Sequence, residues 1–194
     1  MEEWYARYQK AGVPKRHMEF RPNDNQCEEW RGSYQKVKAS LVGGGLCVLL
    51  GDRGTGKTQS AVCAIGYCCR KIGYNAMYAK AFDVFLSIRS GSSKSNDTTE
   101  QGAVKEYLKP HLLVIDAYEV RGNTEFENRT LNHIIDKRYD SMKPTILISN
   151  EKPENFIASV GESFVDRMAD SGGIIIFKGD SKRGAKLVDE NLPF

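Results

Sequence analysis

Gly51-Asp52-Arg53-Gly54-Thr55-Gly56-Lys57-Thr58 satisfies the pattern GxxxxGK[ST] at every position, and the chemistry of that pattern is phosphate binding. Glycines let the backbone turn tightly and aim its N–H groups at phosphate oxygens, an approach that a Cβ would obstruct. The helix that follows presents its N-terminus, the positive end of its dipole, to the same anion. Lys57 is expected to reach the β- and γ-phosphates and Thr58 to ligate magnesium. The expected ligands are therefore ATP or ADP with Mg2+, held by Gly51, Arg53, Gly54, Thr55, Gly56, Lys57, Thr58 and Gln59.

A second group belongs to the same chemistry. His111-Leu112-Leu113-Val114-Ile115-Asp116 carries an acid at the C-terminal tip of an apolar strand, where ligands of open α/β sheets collect. Asp116 is expected to hold the metal, through water, beside Thr58. A hydrolytic P-loop protein of this type places a Glu directly after that Asp to orient the attacking water. Here the next residue is Ala117, whose methyl group can neither accept a proton nor hold a water. Glu119 and Glu125 are the nearest carboxylates. Either another carboxylate serves, or hydrolysis is slow, or the position was altered.

Positioning these groups requires strands that end where the chemistry begins. Gly45–Leu50 is a continuous apolar run, as a strand buried on both faces reads. Lys57–Ile72 turns helical and Gly73 closes it. Asn75–Ala79, His111–Asp116, Pro144–Asn150 and Gly173–Lys178 complete a set of five strands. Between them Ala81–Ser90, with Phe82, Phe85, Leu86 and Arg89 at helical spacing, Val104–Leu108 and Glu125–Tyr139 read as helices. The polar stretch Gly91–Asp97 reads as a loop. Strands separated by helices, without hairpin signals, indicate a parallel sheet covered on both faces.

The bulk composition sets the bounds. A chain of 194 residues suits one domain or one domain with an appendage. Apolar residues at 40% and charged residues at 27% suffice for a full core. A net charge of +3 permits nucleic acid contact without arguing for it, so any such contact must come from local clusters. Five cysteines without CxxC spacing read as reduced, buried thiols rather than a metal site or disulfide set. No apolar run approaches a membrane span, and the start lacks a signal peptide's pattern, so a cytoplasmic protein without membrane contact is expected. Residues 1–20 are expected to form a small separate segment available for a partner, and 21–194 the nucleotide domain.

Read as an ordered set, the chain resembles the DnaC/IstB family of AAA+ ATPases, which comprises bacterial and phage helicase loaders and transposition helper ATPases. The resemblance covers residues 11–183: Ala11-Gly12-Val13-Pro14, the phosphate loop, Leu112–Asp116 and Ile135-Asp136-Lys137-Arg138-Tyr139. It continues through Lys143–Asn150 and Val165-Asp166-Arg167-Met168 to Ser181-Lys182-Arg183. It implies an α/β fold: a P-loop AAA+ three-layer sandwich with a five-stranded parallel sheet and no sizeable C-terminal lid domain. It implies that Asn150 senses the γ-phosphate or attacking water, the alternative being a turn residue. Arg167 resembles the arginine finger offered to ATP in a neighbouring subunit, the alternative being an ion pair with Asp166 or Asp170. Arg183 resembles the second sensor.

The family's insertion between the second and third strands corresponds to residues 80–108. There Lys80, Phe82, Arg89 and Lys94 would grip single-stranded DNA by charge and stacking, the alternative being core aromatics and solvated cations. Two departures stand out: Ala117, and Ser163 where loaders often carry another Arg. The loaders' helicase-binding N-terminal domain is expected to be absent here or reduced to a Trp4–Tyr8 helix. The implied function is a DnaC-like replicative helicase loader that self-associates through its ATP site, binds single-stranded DNA and works in a bacterial or phage-infected cell. The alternatives are an IstB-like transposition helper acting on duplex DNA and a weakly hydrolysing ATP-dependent binding switch.

Overall fold

Continuous apolar runs become central strands here because both faces of the sheet are covered, so successive side chains enter opposite cores. In a computed structural model that describes residues 3–18, 27–91 and 99–181, five strands form one sheet. They are β1 (Leu46–Leu50), β2 (Ala76–Lys80), β3 (Leu112–Asp116), β4 (Thr145–Ile148) and β5 (Gly173–Ile176). Their order is β2-β3-β4-β1-β5 and every pairing is parallel. All C-terminal strand ends therefore lie along one edge.

The helices are α1 (Glu3–Lys10), α2 (Lys15–Met18), α3 (Glu28–Ser40), α4 (Lys57–Tyr67), α5 (Ala81–Gly91), α6 (Glu100–Leu108), α7 (Glu125–Asp140), α8 (Pro153–Val160) and α9 (Glu162–Ser171). Cys47, Leu49, Leu112, Val114, Ile146 and Ile148 pack toward α3, α4 and the α1 segment. Leu46, Val48, Leu50, Leu113, Ile115 and Leu147 pack toward α5 to α9. Three layers result, with the sheet in the middle.

Most expected elements are present with ends moved by one or two residues. The expected helix over 57–72 is α4 continued by a π-helical turn, Cys68–Ile72, and Gly73 closes it at φ +72°. The second strand runs to Lys80 rather than Ala79, because its pairing with β3 extends to Asp116. The short helix expected at 104–108 begins at Glu100, since Thr99 caps it by accepting from Gly102 N at 3.2 Å. Helices α2, α3, α8 and α9 were not expected.

The apolar stripe foreseen on α5 is split. Phe85 is buried with Ala81, Val84 and Ile88, whereas Phe82 and Leu86 are each 55% exposed. Residues 1–20, expected as a separate piece, include Tyr8, Ala11 and Val13 buried in the α4-side core, and Tyr78 N donates to Ala11 O at 2.7 Å. Four cysteines are buried and Cys27 is exposed. Burial pushes Cys47 and Cys68 up to about 12 and Cys69 to about 11, so these thiols stay protonated at neutral pH. Among the described residues no helix is long and apolar enough to cross a membrane.

Candidate nucleotide site

Strand alternation sorts the site before any loop is considered. On β1, β2, β3 and β4 the residues that share parity with Leu49, Tyr78, Val114 and Ile148 face the α4 side. Extending that parity beyond the buried stretch brings Gly51, Lys80, Asp116 and Asn150 to the same side of the sheet as α4. Parallel pairing brings them to the same end, and a cleft of about 780 Å³ opens there.

The loop between β1 and α4 has the form its glycines require. Gly51 sits at φ +139° and Gly56 at φ +96°. A Cβ on Gly51 would meet Phe177 O at 2.2 Å, and one on Gly56 would meet the Trp30 indole nitrogen at 2.6 Å. Neither position tolerates a side chain. Thr55 Oγ1 donates to Asp52 O at 2.9 Å, and Trp30 Nε1 donates to Gly56 O at 3.2 Å. Lys57, 5% exposed, donates to Gly51 O at 2.6 Å and Asp52 O at 2.8 Å. Its ammonium thus lies inside the loop at the N-terminus of α4.

Facing the loop, Thr58 Oγ1 donates to Asp116 Oδ2 at 2.9 Å. Tyr78 OH donates to the same oxygen at 2.6 Å, and Ala117 N donates to Oδ1 at 2.7 Å. Burial, then the Asp116 charge, raises the Tyr78 pKa well above its ordinary value, so this phenol remains a donor. Two hard oxygens, one hydroxyl and one carboxylate, converge at the mouth of a phosphate-shaped loop. That donor set suits Mg2+, which prefers one or two protein oxygens and keeps its remaining ligands as water and phosphate.

Two further pieces complete the cleft. Glu119 and Asn150 both line it. Asn150 N donates to Glu119 Oε2 at 3.2 Å, and Asn150 Nδ2 donates to Glu119 Oε1. On the other rim Pro14, Arg16 and His17 join Arg53 and Gln59. His17 Nδ1 and Gln59 Oε1 are 2.8 Å apart, and Gln59 Nε2 donates to His17 O at 3.5 Å.

The expected residues separate into three groups. Arg53, Gly54, Gly56, Lys57, Thr58, Gln59, Asp116 and Asn150 line one cleft, and Gly51 and Thr55 shape its loop. Lys80, expected at a DNA-gripping insertion, instead lines this same cleft, because it continues the α4-facing parity of β2. Phe82 is exposed on α5, and the Arg89 guanidinium lies 5.3 Å from the Phe126 ring centre. Arg167 lies outside the chain's own cleft. It pairs with Asp136 at 3.2 Å, not with Asp166 or Asp170, and donates to Ser163 O at 2.9 Å. Asp170 accepts from Tyr139 OH at 2.5 Å. Lys94 and Arg183 lie outside the described residues.

Sequence reading missed Tyr78, Trp30, Arg16 and His17. Tyr78 stands two residues before Lys80 on one strand face, a signal that period-two counting offers once the strand is known to border the Asp116 strand. Nothing in the sequence announces that Trp30 or His17 reaches the loop, since both come from helices packed across long separations.

Residues 45–188 match the family described as IstB-like ATP binding protein. Similar sequences include an insertion-sequence protein of Mycobacterium tuberculosis named for ATP binding, 29% identical over 75% of this chain and 59% of its own length. The replicative helicase loader DnaC of Escherichia coli is 27% identical over 70% of this chain and 55% of its own. The chain thus spans little more than half the length of these relatives. Among solved structures, a crystal structure of the DnaC helicase loader superposes with a TM-score of 0.65 at 18% identity, covering 89% of this chain and 99% of that one. That likeness concerns the fold.

Proposed function

Since the chain belongs to the IstB-like ATP-binding protein family, we propose that it is a magnesium-dependent AAA+ ATPase that works as a DnaC-like loader of a replicative helicase. The observation that carries the ATPase part is the meeting of Thr58 and Asp116 at 2.9 Å before a loop holding Lys57. When ATP binds, Lys57 exchanges the Gly51 and Asp52 carbonyls for β- and γ-phosphate oxygens. The α4 N-terminus and loop N–H groups take up the remaining negative charge. Thr58 and Asp116 would hold Mg2+, which supplies neutralisation of phosphate charge. Asn150, which lines the cleft, would touch the γ-phosphate or the attacking water through its amide.

Arg167 acts in a neighbouring copy. Its half-buried position on α9, outside its own cleft, would let the guanidinium reach a second molecule's ATP once Asp136 is displaced, and a planar, always-charged donor suits phosphoryl transfer. ATP binding thereby drives self-association. Single-stranded DNA docks on the α5 surface, where the exposed Phe82 ring offers a face for base stacking.

The test is light scattering with ATP, with ADP and without nucleotide, for the natural chain and Arg167→Ala. Assembly is expected with ATP alone. The variant should lose assembly and about 10³-fold in turnover, as removal of an arginine finger does. Unchanged assembly in Arg167→Ala would remove the finger assignment.

The insertion-sequence relative favours a second reading, a transposition helper acting with a transposase. Binding to labelled single-stranded and duplex DNA at one fixed salt concentration separates the two. Preference for single strands, with retention of a replicative helicase in a pull-down, supports the loader. Preference for duplex supports the helper.

A further inference from the structure

The position after Asp116 holds an alanine, yet the cleft still contains a carboxylate at the right end of the sheet. Ala117 takes a left-handed conformation at φ +57°, so the chain leaves β3 sharply into a 3-10 turn, Tyr118–Val120. Tyr118 is driven into the core, 1% exposed, against the Phe156 ring at a centroid distance of 5.1 Å. The next side chain, Glu119, is thereby turned the other way, over the ends of β3 and β4. Asn150 holds both of its oxygens, through the backbone N–H at 3.2 Å and the side-chain amide. Glu125, the other nearby acid, begins α7 at the surface, 3.9 Å from Arg129, with its side chain 87% exposed.

We infer that Glu119 is the catalytic base of this ATPase, occupying in space the role that Ala117 vacates in sequence. The inference rests on the ATPase reading above. In the step, the water oxygen bonds to the γ-phosphorus, and the bond from that phosphorus to the bridging oxygen breaks with its electron pair left on ADP. The water proton passes to the Glu119 carboxylate and from there to solvent. Asn150 is the positioning residue, since it fixes the carboxylate and itself lines the cleft. The left-handed Ala117 costs about 1 kcal/mol or more relative to a relaxed conformation. Such local strain persists where surrounding structure over-determines it.

The test compares the natural chain with Glu119→Gln, Glu119→Asp and Glu125→Gln. Three measurements are made: turnover, affinity for fluorescently labelled ATP, and affinity for ADP with tetrafluoroaluminate, which mimics the transferring phosphoryl group. Glu119→Gln should lose about 10²-fold or more in turnover, the usual contribution of a placed general base. It should keep ATP affinity within about threefold and lose affinity for the tetrafluoroaluminate complex. Glu119→Asp, one methylene shorter, should fall between, and Glu125→Gln should behave as the natural chain does. Full turnover in Glu119→Gln overturns the inference, as does a natural chain that binds ATP but never hydrolyses it. A natural chain that binds no ATP overturns the ATPase reading itself, which the binding measurement reports separately.

Discussion

Asp116 accepts two hydrogen bonds on one oxygen, from Thr58 and from Tyr78, and one on the other, from its neighbour's backbone. Thr58 belongs to the phosphate loop, so its contact unites the two halves of the site. Tyr78 comes from the adjoining strand. Its effect is to hold the carboxylate toward Thr58, through a charge-assisted bond of a kind worth about 1.5–3 kcal/mol. Tyr78→Phe keeps the ring in the α4-side core and removes that bond alone. The magnesium concentration for half-maximal turnover should rise by about tenfold, while affinity for ATP without metal stays nearly constant. Titrating turnover with Mg2+ checks this, and an unchanged midpoint would make Tyr78 a packing residue only.

At the scale of elements, the 3-10 turn decides where Glu119 stands. Arg121 anchors that turn. Its guanidinium, 4.1 Å from the Tyr118 ring centre, donates to Tyr118 OH at 2.5 Å, to Ser159 O at 3.4 Å and to Asn128 Oδ1. One side chain thus ties the turn to α7 and α8. Nearby, Thr124 and Glu127 form a reciprocal capping box that starts α7 immediately after the loop. Arg121→Ala leaves the phosphate loop intact but frees the turn and strips several polar groups of a partner. A stability loss of about 2–4 kcal/mol is expected, together with a larger fall in turnover than in ATP affinity. Urea unfolding and the kcat-against-affinity comparison read the two effects independently. Equal loss of turnover and affinity would place Arg121 in general scaffolding instead.

At the scale of the whole molecule, the end of the sheet opposite the cleft is closed by Arg138. It is 1% exposed and donates to Tyr107 O, Pro110 O, His111 O and Pro144 O at 2.8–2.9 Å, and to Thr145 Oγ1 at 2.8 Å. These partners come from the end of α6, the start of β3 and the start of β4, while Arg138 itself is on α7. Burial lowers its pKa to about 10, which leaves it charged at neutral pH. Replacing it by Leu would remove this donor from four main-chain carbonyls, of which Pro144 O keeps Leu113 N at 3.2 Å, a loss of about 3–5 kcal/mol. Lys cannot restore it, since an ammonium lacks the planar fork that spans separate carbonyls. Denaturant midpoints should fall in both variants, while ATP affinity, measured where each remains folded, should stay unchanged. Arg138 stands on α7 at helical spacing from the buried Leu131, Ile134 and Ile135, and the carbonyls it meets are why a cation belongs there.

The phosphate loop, Asp116 and the alternation of strands with helices are determined by the sequence itself. Their physics is local: eight consecutive residues make an anion nest, and an acid at the end of an apolar run must emerge at a strand tip. What the fold alone decides are the meetings between distant segments. Glu119 faces Asn150 because β3 and β4 are neighbours and Ala117 turns left-handed. Lys80 borders the nucleotide cleft because β2 lies beside β3 in register. Residues 11–17 reach the loop because Tyr8, Ala11 and Val13 bury themselves against the α4 side. No spacing encodes these contacts, since each depends on strand order and on which face of the sheet a helix covers.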